Sequence, residues 1–356
     1  MAETTMNKDK IKDFVGKVYG DMAGAMTVAM AYVGTKTGLF RAMAGKGPLR
    51  PQELAAATGL HPRYVEEWLS GMAAAGYLDY DPAQQTFCLP DEHAFLLASE
   101  GTDHFMGGLF CFAPVLFAAA PKVAEAFRVG GGVRFADFGS DCAPALDAMN
   151  GGQYEQRLCS HWLAKLPDVV ARLQSGGRVL DFGCGLGRVA ITIARSFPRS
   201  EVVAVDIDAA SIERAQAAAK NAGLDRRIRF LAGTVGELDG KSSFDLIVAC
   251  DCIHDLSRPQ RTLGELRGLL KPDGTLFIVE PKAADRLEDN FNPVGTMYYG
   301  FSLFHCMTQS LAQGGPGLGT CMGPARMQQL LHEAGFRRFE QLDIKSQSHA
   351  FYAARP

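Results

Sequence analysis

Apolar and polar residues along this chain follow two successive patterns, and the second begins near residue 178. From there, short apolar runs (RVLDF, EVVAVD, IRFLA, FDLIVA and TLFIVE) alternate with segments whose apolar residues recur at helical spacing. Strands that alternate with helices are typical of a parallel, doubly wound α/β sheet. Two last apolar runs, at 336–343 and 348–354, leave no room for a helix and must pair antiparallel. The pattern therefore predicts a Rossmann-like, seven-stranded sheet, mostly parallel, with an antiparallel C-terminal hairpin.

The first hundred residues are instead patterned as helices. One helix is predicted to begin at Pro51 and a second to span 62–76, and two short apolar runs around a DPAQQ turn follow them. Helix, turn, helix and hairpin in this order predict a winged helix. We therefore expect a winged-helix domain over 1–105, linking helices over 106–174 and a cofactor-binding domain over 175–356.

Composition narrows the functional classes. The 356 residues carry a net charge of −3, and the nine cysteines follow no zinc-binding spacing. Within 1–100, nine Lys or Arg face twelve Asp or Glu, and the second predicted helix sets Arg63 against Glu66 and Glu67. A phosphate backbone repels such a surface, so we expect no nucleic-acid partner. The apolar run at 105–121 is short for a membrane span and contains glycine and proline, so we expect a buried helix, no membrane contact and a cytoplasmic protein.

A glycine-rich loop, DFGCGLG, follows the first predicted strand of the sheet. Gly183 and Gly185 allow the backbone to turn sharply and to approach a ligand, beside the free N–H groups of a helix N-terminus. Asp206 ends the next strand about twenty residues later, where a carboxylate binds the hydroxyls of a ribose. Both NAD and S-adenosylmethionine (SAM) present such a ribose. Asp181 favours SAM, because an acid before the first glycine suits an ammonium group better than a pyrophosphate.

The motifs VLDFGCGLG, AVDID and FDLIVACDCIHD resemble those of class I SAM-dependent methyltransferases, and the resemblance covers about residues 175–356. It implies SAM as cofactor and S-adenosylhomocysteine as product. It implies that Asp206 holds the ribose, that Ile207 packs on the adenine and that Asp251 lines the methionine end. The full set of implied cofactor-binding residues is Asp181, Gly183, Gly185, Asp206, Ile207, Thr234, Val235, Asp251 and Cys252.

A narrower resemblance extends over nearly the whole chain. The stretches ELAAATGLHPRYVEEWLSGMAAAGYL and SLAQGGPGLGT are similar to segments of bacterial methyltransferases that carry an N-terminal winged helix. In that group the winged helix builds a homodimer and covers the partner's pocket. The resemblance therefore implies a homodimer, with the uncharged segment 22–35 at its interface.

The HD pair at 254–255 resembles the same pair in plant-type small-molecule O-methyltransferases. That resemblance implies that His254 is the general base and that Glu280, at the end of the fifth strand, orients it. The sequence departs from those enzymes at Leu256, where they usually have tryptophan. A structural role for His254, at the start of the helix that follows, is the alternative.

Aromatic and polar residues outside these motifs are candidates for a substrate pocket. The insertion 283–323 is rich in aromatic residues and methionine, which indicates either a pocket wall or an ordinary buried helix. Its Tyr298, Phe301 and His305 are spaced to share one helical face. His161 rivals His254 as base. The full set of candidates is Tyr19, Tyr154, His161, Trp162, Tyr298, Phe301, Ser302 and His305.

Together these observations predict a SAM-dependent methyltransferase that acts on a small molecule, with oxygen as the expected acceptor. The first alternative is methylation of a sulfur, nitrogen or carbon acceptor, in which the enzyme acts mainly by aligning the acceptor with the methyl group. Protein or RNA methylation is another alternative. A magnesium site at Asp251, Asp289 and Asn290 is also open, although we expect no metal. The alternative from another class is a winged-helix DNA-binding regulator that senses SAM.

Overall fold

The computed structural model describes residues 6–238 and 241–356. Its contacts divide the chain into two compact units, with the division between Pro114 and Val115. Each unit has its own hydrophobic core. The division falls inside a long helix, because that helix contributes residues to both units.

The segment 106–174, expected to link two domains, is divided between the two units. Residues 115–174 belong to the second unit. Ion pairs tie this segment to the sheet domain: the guanidinium of Arg188 lies 2.6 Å from the carboxylate of Asp147 and 3.1 Å from that of Glu155. Apolar packing adds to them, since the segment contributes side chains to a core cluster on one face of the sheet.

The first unit contains the predicted winged helix: two helices joined by a tight turn, then an antiparallel hairpin. Trp68 anchors its core. The indole packs edge-on against Phe40, with 5.2 Å between ring centroids, and its Nε1 donates to the carbonyl of Met30. The elements are α1 (Lys8–Thr37), α2 (Leu39–Met43), α3 (Pro51–Thr58), α4 (Pro62–Ala74), β1 (Asp79–Asp81), β2 (Thr86–Cys88) and α5 (Asp91–Leu97).

The apolar run near residue 105 forms helix α6 (Gly107–Val129). Among the described helices it is the one long and apolar enough to cross a membrane, judged by length and composition alone. About half of its most apolar stretch, 44%, is buried inside the protein. A core helix of a soluble protein has the same properties, so the helix is weak evidence for a membrane span.

The second unit is built on a seven-stranded sheet in the order β5-β4-β3-β6-β7-β9-β8. Strands β3 to β7 run parallel, and β9 pairs antiparallel with both β7 and β8. The predicted fold class is therefore confirmed. The strands are β3 (Arg178–Phe182), β4 (Glu201–Asp206), β5 (Ile228–Ala232), β6 (Phe244–Cys250), β7 (Leu270–Pro281), β8 (Arg338–Gln341) and β9 (His349–Arg355).

Both faces of the sheet are buried, which explains why its strands are continuous apolar runs. Neighbouring residues on a strand point to opposite faces, so Val179 belongs to one core cluster and Leu180 to the other. Helices cover each face. The helices of this unit after α6 are α7 (Cys142–Arg157), α8 (Pro167–Ser175), α9 (Arg188–Ser196), α10 (Ala209–Asn221), α11 (Pro259–Leu269), α12 (Pro293–Phe301), α13 (Met307–Ala312) and α14 (Pro324–Glu333).

Candidate active site

The glycine-rich loop joins β3 to α9 and carries the conformations that glycine favours. Gly183 and Gly185 have φ of +68° and +48°, in the left-handed region. At Gly183 space is also short: a Cβ built there lies 2.9 Å from the Cβ of Cys252. The loop backbone therefore passes directly over Cys252, two residues after the end of β6, and a side chain at Gly183 would push the loop and Cys252 apart.

Asp206, at the end of β4, ties this loop to the next strand. Its Oδ2 accepts a hydrogen bond of 2.8 Å from the N–H of Gly185, and its Oδ1 accepts one of 2.9 Å from the N–H of Asp208. Burial raises the pKa of this carboxyl despite both bonds. Each carboxylate oxygen has a second lone pair, so Asp206 retains the capacity to accept from two further hydroxyls.

Asp181, on β3, is almost completely buried. Its Oδ2 accepts from the N–H of Ala190 in the first turn of α9 at 2.9 Å. Burial raises its pKa to about 8, which that hydrogen bond only partly offsets. A nearby cation would lower this pKa and stabilise the ionised form.

Asp251 follows β6 and is held in an unusual conformation. Its φ of +49° is uncommon for a non-glycine residue and typical of functional sites. Its Oδ2 accepts from the Nδ2 of Asn150 at 3.0 Å and from the hydroxyl of Tyr154, and it lies 3.2 Å from the Nε2 of His349. Its Oδ1 is buried and accepts no hydrogen bond from the described residues. One oxygen of Asp251 is thus anchored and the other is left for a ligand.

The charges in this network favour an ion pair. Burial acts to raise the pKa of Asp251, but His349 and the hydroxyl of Tyr154 outweigh it and hold the pKa below its usual range. Burial acts to lower the pKa of His349, and the carboxylate of Asp251 outweighs it in turn. Asp251 is therefore an anionic acceptor at neutral pH.

His254 and Glu280 are brought together at the adjoining strand ends. The Nδ1 of His254 lies 2.6 Å from Oε2 of Glu280, whose Oε1 accepts from the N–H of Ile253 at 2.9 Å. Burial acts to lower the pKa of His254, but the carboxylates of Glu280 and Asp255 outweigh it and hold the pKa well above its usual value. A protonated imidazole can donate but not accept a proton, so His254 is available as a base only when that proton has left.

The other ring nitrogen of His254 is covered. Its Nε2 lies 3.3 Å from the Sγ of Cys306 and 3.3 Å from Oδ1 of Asp255. Only 3% of the residue is exposed to solvent. Asp255 borders the neighbouring cavity, whereas His254 and Glu280 lie behind its wall.

That cavity has a volume of about 550 Å³ and lies at the carboxyl ends of the parallel strands. It is lined by all nine residues assigned to the cofactor from sequence, and by Tyr154 and His305 from the predicted substrate set. Ile207 stands at its edge with 66% of its surface exposed. An isoleucine this exposed beside a cavity offers an apolar surface for a flat ring to cover.

Other predicted substrate residues do not line this cavity. Trp162 is buried in the core, where its indole packs on Phe351 with 4.9 Å between centroids. His161 is exposed and its Nδ1 lies 2.7 Å from the hydroxyl of Ser160. Both residues lie in a π-helical turn, Leu158–Trp162. The extra residue in this turn changes which side of the helix each side chain points to, compared with the side expected from α-helical spacing. Tyr19 belongs to the first unit, on α1, and 74% of it is exposed.

A second π-helical turn, Ser302–Cys306, separates the residues predicted to share one face of the insertion. Tyr298 precedes this turn and donates from its hydroxyl to the carbonyl of Ser348, and Phe301 packs beside it. Ser302 is buried and bonds within the insertion, where its hydroxyl accepts from the N–H of Thr320. His305 instead points toward the cavity.

Sequence reasoning missed several residues of the site. Asn150 and His349 hold Asp251, Gln309 lines the cavity, and Cys306 covers His254. Asn150 and Gln309 lie on helices with no motif that marks them. His349 is the first residue of β9. The predicted C-terminal hairpin did not indicate that this strand would also pair with β7, which is what returns His349 to the same sheet edge.

Comparison with known proteins gives one likeness for each of the two units. Residues 173–335 match a family model described as a methyltransferase domain, and residues 24–99 match one described as an Rv2258c-like winged HTH domain. The second match agrees with the winged helix seen in the first unit. The first covers the glycine loop, Asp206 and the strand ends that form the cavity.

Among curated relatives, a malonyl-[acyl-carrier protein] O-methyltransferase of Halalkalibacterium halodurans is 31% identical over 150 residues, which are 40% of this chain and 54% of that protein. An uncharacterised methyltransferase of Mycobacterium tuberculosis is 40% identical over 103 residues, 28% of this chain and 49% of that protein. The chain thus spans about half the length of these relatives. A sterol 24-C-methyltransferase of Saccharomyces cerevisiae is 31% identical over 124 residues, 35% of this chain and 32% of that protein.

Solved structures extend the likeness in fold to the whole chain. An O-methyltransferase family protein from Burkholderia thailandensis has a TM-score of 0.66 at 16% identity, covering 99% of this chain and 98% of the other. Human N-acetylserotonin methyltransferase, solved with SAM, has a TM-score of 0.66 at 19% identity, covering 99% of both chains. The chain therefore has the methyltransferase fold, and in it a segment similar to winged helix-turn-helix domains precedes one similar to methyltransferase domains.

Proposed function

We propose that this protein is a SAM-dependent methyltransferase of small molecules. The observation that carries the proposal is the cavity of about 550 Å³, because the residues suited to a cofactor share it with a wall suited to an acceptor. Pockets of this size commonly hold one or two small molecules behind a few polar groups. The O-methyltransferase and N-acetylserotonin methyltransferase folds that resemble this chain support the same class of substrate.

The residues present fit SAM without rearrangement. Asp206 has lone pairs left for the ribose hydroxyls, and exposed Ile207 offers a surface for the adenine. The buried Oδ1 of Asp251 and the carboxyl of Asp181 suit the ammonium group of the methionine part. When bound, SAM supplies a methyl group on a positively charged sulfur, which a nucleophile attacks in line.

Alignment is the main contribution that the cavity makes to such a reaction. Holding two reactants in line lowers a barrier by about 7–11 kcal/mol. A base adds roughly 10²–10⁴-fold when the acceptor must lose a proton. The cavity wall opposite the glycine loop, formed by α7 and by residues near His305, is where we place the acceptor.

We assign the base to His254 and its orientation to Glu280. The 2.6 Å contact between them fixes the ring and leaves Nε2 as the atom that takes a proton. An acceptor in the cavity reaches Nε2 only when Asp255 and the thiol of Cys306, which cover that atom, move aside. A hydroxyl is the acceptor that gains most from this base. Methylation of sulfur, nitrogen and carbon acceptors depends more on alignment. The relatives include both an O-methyltransferase and a C-methyltransferase.

We further propose that the first unit mediates homodimerisation and does not bind DNA. Apolar residues recur every four positions along α1 and are more than half exposed: Phe14, Val18, Met22 and Met26. This stripe fits a second copy of the same helix better than water. On α4, Arg63 forms ion pairs with Glu66 and Glu67, so it is not directed at a phosphate.

The test is a methyl-transfer assay with His254→Ala beside the natural protein. Methyl-labelled SAM and a protein-free small-molecule extract are supplied, and the labelled product is identified by mass. We expect the variant to bind SAM normally and to transfer label 10²–10⁴-fold more slowly. His332→Ala, an exposed histidine on α14, is the matched control.

Two results would count against the proposal. Full transfer by His254→Ala, with loss in His161→Ala, would move the base to His161. Label incorporated into protein or nucleic acid, but into no small product when all three are offered, would contradict the substrate class.

A further inference from the structure

Three metal-ligating side chains meet behind the cavity wall. His254 and Asp255 come from the turn after β6, and Cys306 comes from the π-helical turn of the insertion. One donor atom of each, namely the imidazole Nε2, the carboxylate Oδ1 and the thiol Sγ, lies within 4.8 Å of the other two. We call these three residues the His254 cluster.

A single hydrogen bond from Nε2 does not account for the approach of both neighbours. Nε2 has one proton or one lone pair, so it can satisfy one neighbour, and its hydrogen bond goes to Cys306. Oδ1 of Asp255 lies equally close, at 3.3 Å, yet it is buried and makes no hydrogen bond to any of the described residues. A cation between the three atoms would satisfy all of them together.

The spacing matches a tetrahedral zinc site. With zinc bonds of about 2.0–2.1 Å to nitrogen and oxygen and 2.3 Å to sulfur, tetrahedral angles set ligand atoms about 3.3–3.6 Å apart. The two separations measured from Nε2 are both 3.3 Å. The remaining separation, between Asp255 and Cys306, is within 4.8 Å.

Glu280 completes the arrangement from behind. A histidine that ligates a metal usually donates its other ring N–H to a carboxylate, which fixes the tautomer and strengthens the ligand. The Nδ1 of His254 lies 2.6 Å from Oε2 of Glu280, so Nε2 is the nitrogen left for a metal. Asp255 also borders the cavity, which provides a path for entry and an open fourth position.

We propose that the His254 cluster binds a soft divalent cation, with Zn²⁺ the best fit, through imidazole, carboxylate and thiolate. Softness and geometry both favour zinc, since thiolate and imidazole are ligands that it prefers over magnesium or calcium. One consequence rests on the proposed function: a metal on Nε2 occupies the lone pair that a base requires. Zinc at this cluster therefore inhibits methyl transfer.

Cobalt provides the direct test, because Co²⁺ reports its own ligands by absorption. The full-length protein, freed of metal with a chelator, is titrated with Co²⁺ in the absence of SAM. We expect the bands of a tetrahedral site together with a sulfur-to-metal charge-transfer band, and we expect Zn²⁺ to displace both. Cys306→Ser should lose the charge-transfer band, and Glu280→Gln should bind 10–100-fold more weakly. Cys159→Ser, which removes a half-buried thiol elsewhere in the second unit, is the control.

The outcomes separate the two proposals. No cobalt bands at excess metal, or a charge-transfer band that persists in Cys306→Ser, overturns the metal site. Asp255→Asn, at a partly exposed position, guards against misfolding of the buried variants: it should weaken binding and keep the sulfur band. If cobalt binds as expected but the metal-free protein transfers no methyl to any small molecule, the metal site stands and the proposed function fails.

Discussion

The buried carboxyl of Asp181 makes cofactor binding depend on pH in a way that can be worked out. Its pKa of about 8 means that without a ligand it is largely protonated at neutral pH. An ammonium group binds well only to the ionised carboxylate, so binding must remove that proton. Affinity is therefore expected to rise with pH as long as the pH stays below this pKa.

The magnitude follows from the fraction ionised. Between pH 5.5 and 7.5 a group of pKa 8 goes from roughly 0.3% to roughly 24% ionised, while a ligand α-amino group loses about a third of its charge. The net expectation is a gain in affinity of about 50-fold, or about 2.3 kcal/mol. Near pH 6 each binding event should release about one proton.

Calorimetry with S-adenosylhomocysteine measures both quantities, because this product carries the same amino group and transfers no methyl. Repeating the titration in two buffers with different ionisation enthalpies counts the proton. The control is Asp181→Asn, which keeps an oxygen for the N–H of Ala190 but cannot ionise. Its affinity should be weaker at pH 7.5 and nearly independent of pH. An unchanged slope in Asp181→Asn, or a flat profile in the natural protein, would refute the role of this carboxyl.

Four further substitutions test the site and its surroundings. Trp162→Ala should lower the free energy of unfolding by about 3–5 kcal/mol in a denaturant titration, since it empties a core position; a near-neutral effect would contradict its placement there. Gly183→Ala should weaken cofactor binding more than Gly185→Ala. Both glycines have a left-handed φ, but only at Gly183 would an added Cβ lie 2.9 Å from the Cβ of Cys252. Equal losses of affinity by calorimetry would mean that backbone strain alone matters. Ile207→Ala should weaken cofactor binding while stability stays within about 0.5 kcal/mol, and unchanged affinity would remove it from the adenine surface.

Much of the second unit could be predicted because its signals are local. A strand buried on both faces must be apolar along its length, and a loop that turns sharply needs glycine at positions such as Gly183. The carboxyl ends of parallel strands share one edge, so Asp181, Asp206 and Asp251 had to gather there once the strands were recognised. The winged helix was equally local, since its helices and hairpin follow one another along the chain.

The substrate wall could not be predicted in the same way. Two π-helical turns, each with one residue more per turn than an α-helix, direct Trp162 into the core and set Tyr298 apart from His305. A prediction from residue spacing assumes an α-helix throughout, and the spacing of the residues does not indicate such turns. The chain near residue 150 also had no motif to indicate that Asn150 would reach Asp251.

The sequence by itself determined the sheet, the glycine loop, the acid at the end of β4 and the pairing of a histidine with a carboxylate at the strand ends, because each depends on residues close in the chain or on one repeating strand pattern. The tertiary structure alone decided which side chain faces His254 from the insertion and which faces Asp251 from β9. Cys306 lies 52 positions from His254, and His349 lies 98 positions from Asp251. Contacts over such distances are set by how the helices and strands pack, and packing sums many weak interactions that no short stretch of sequence contains.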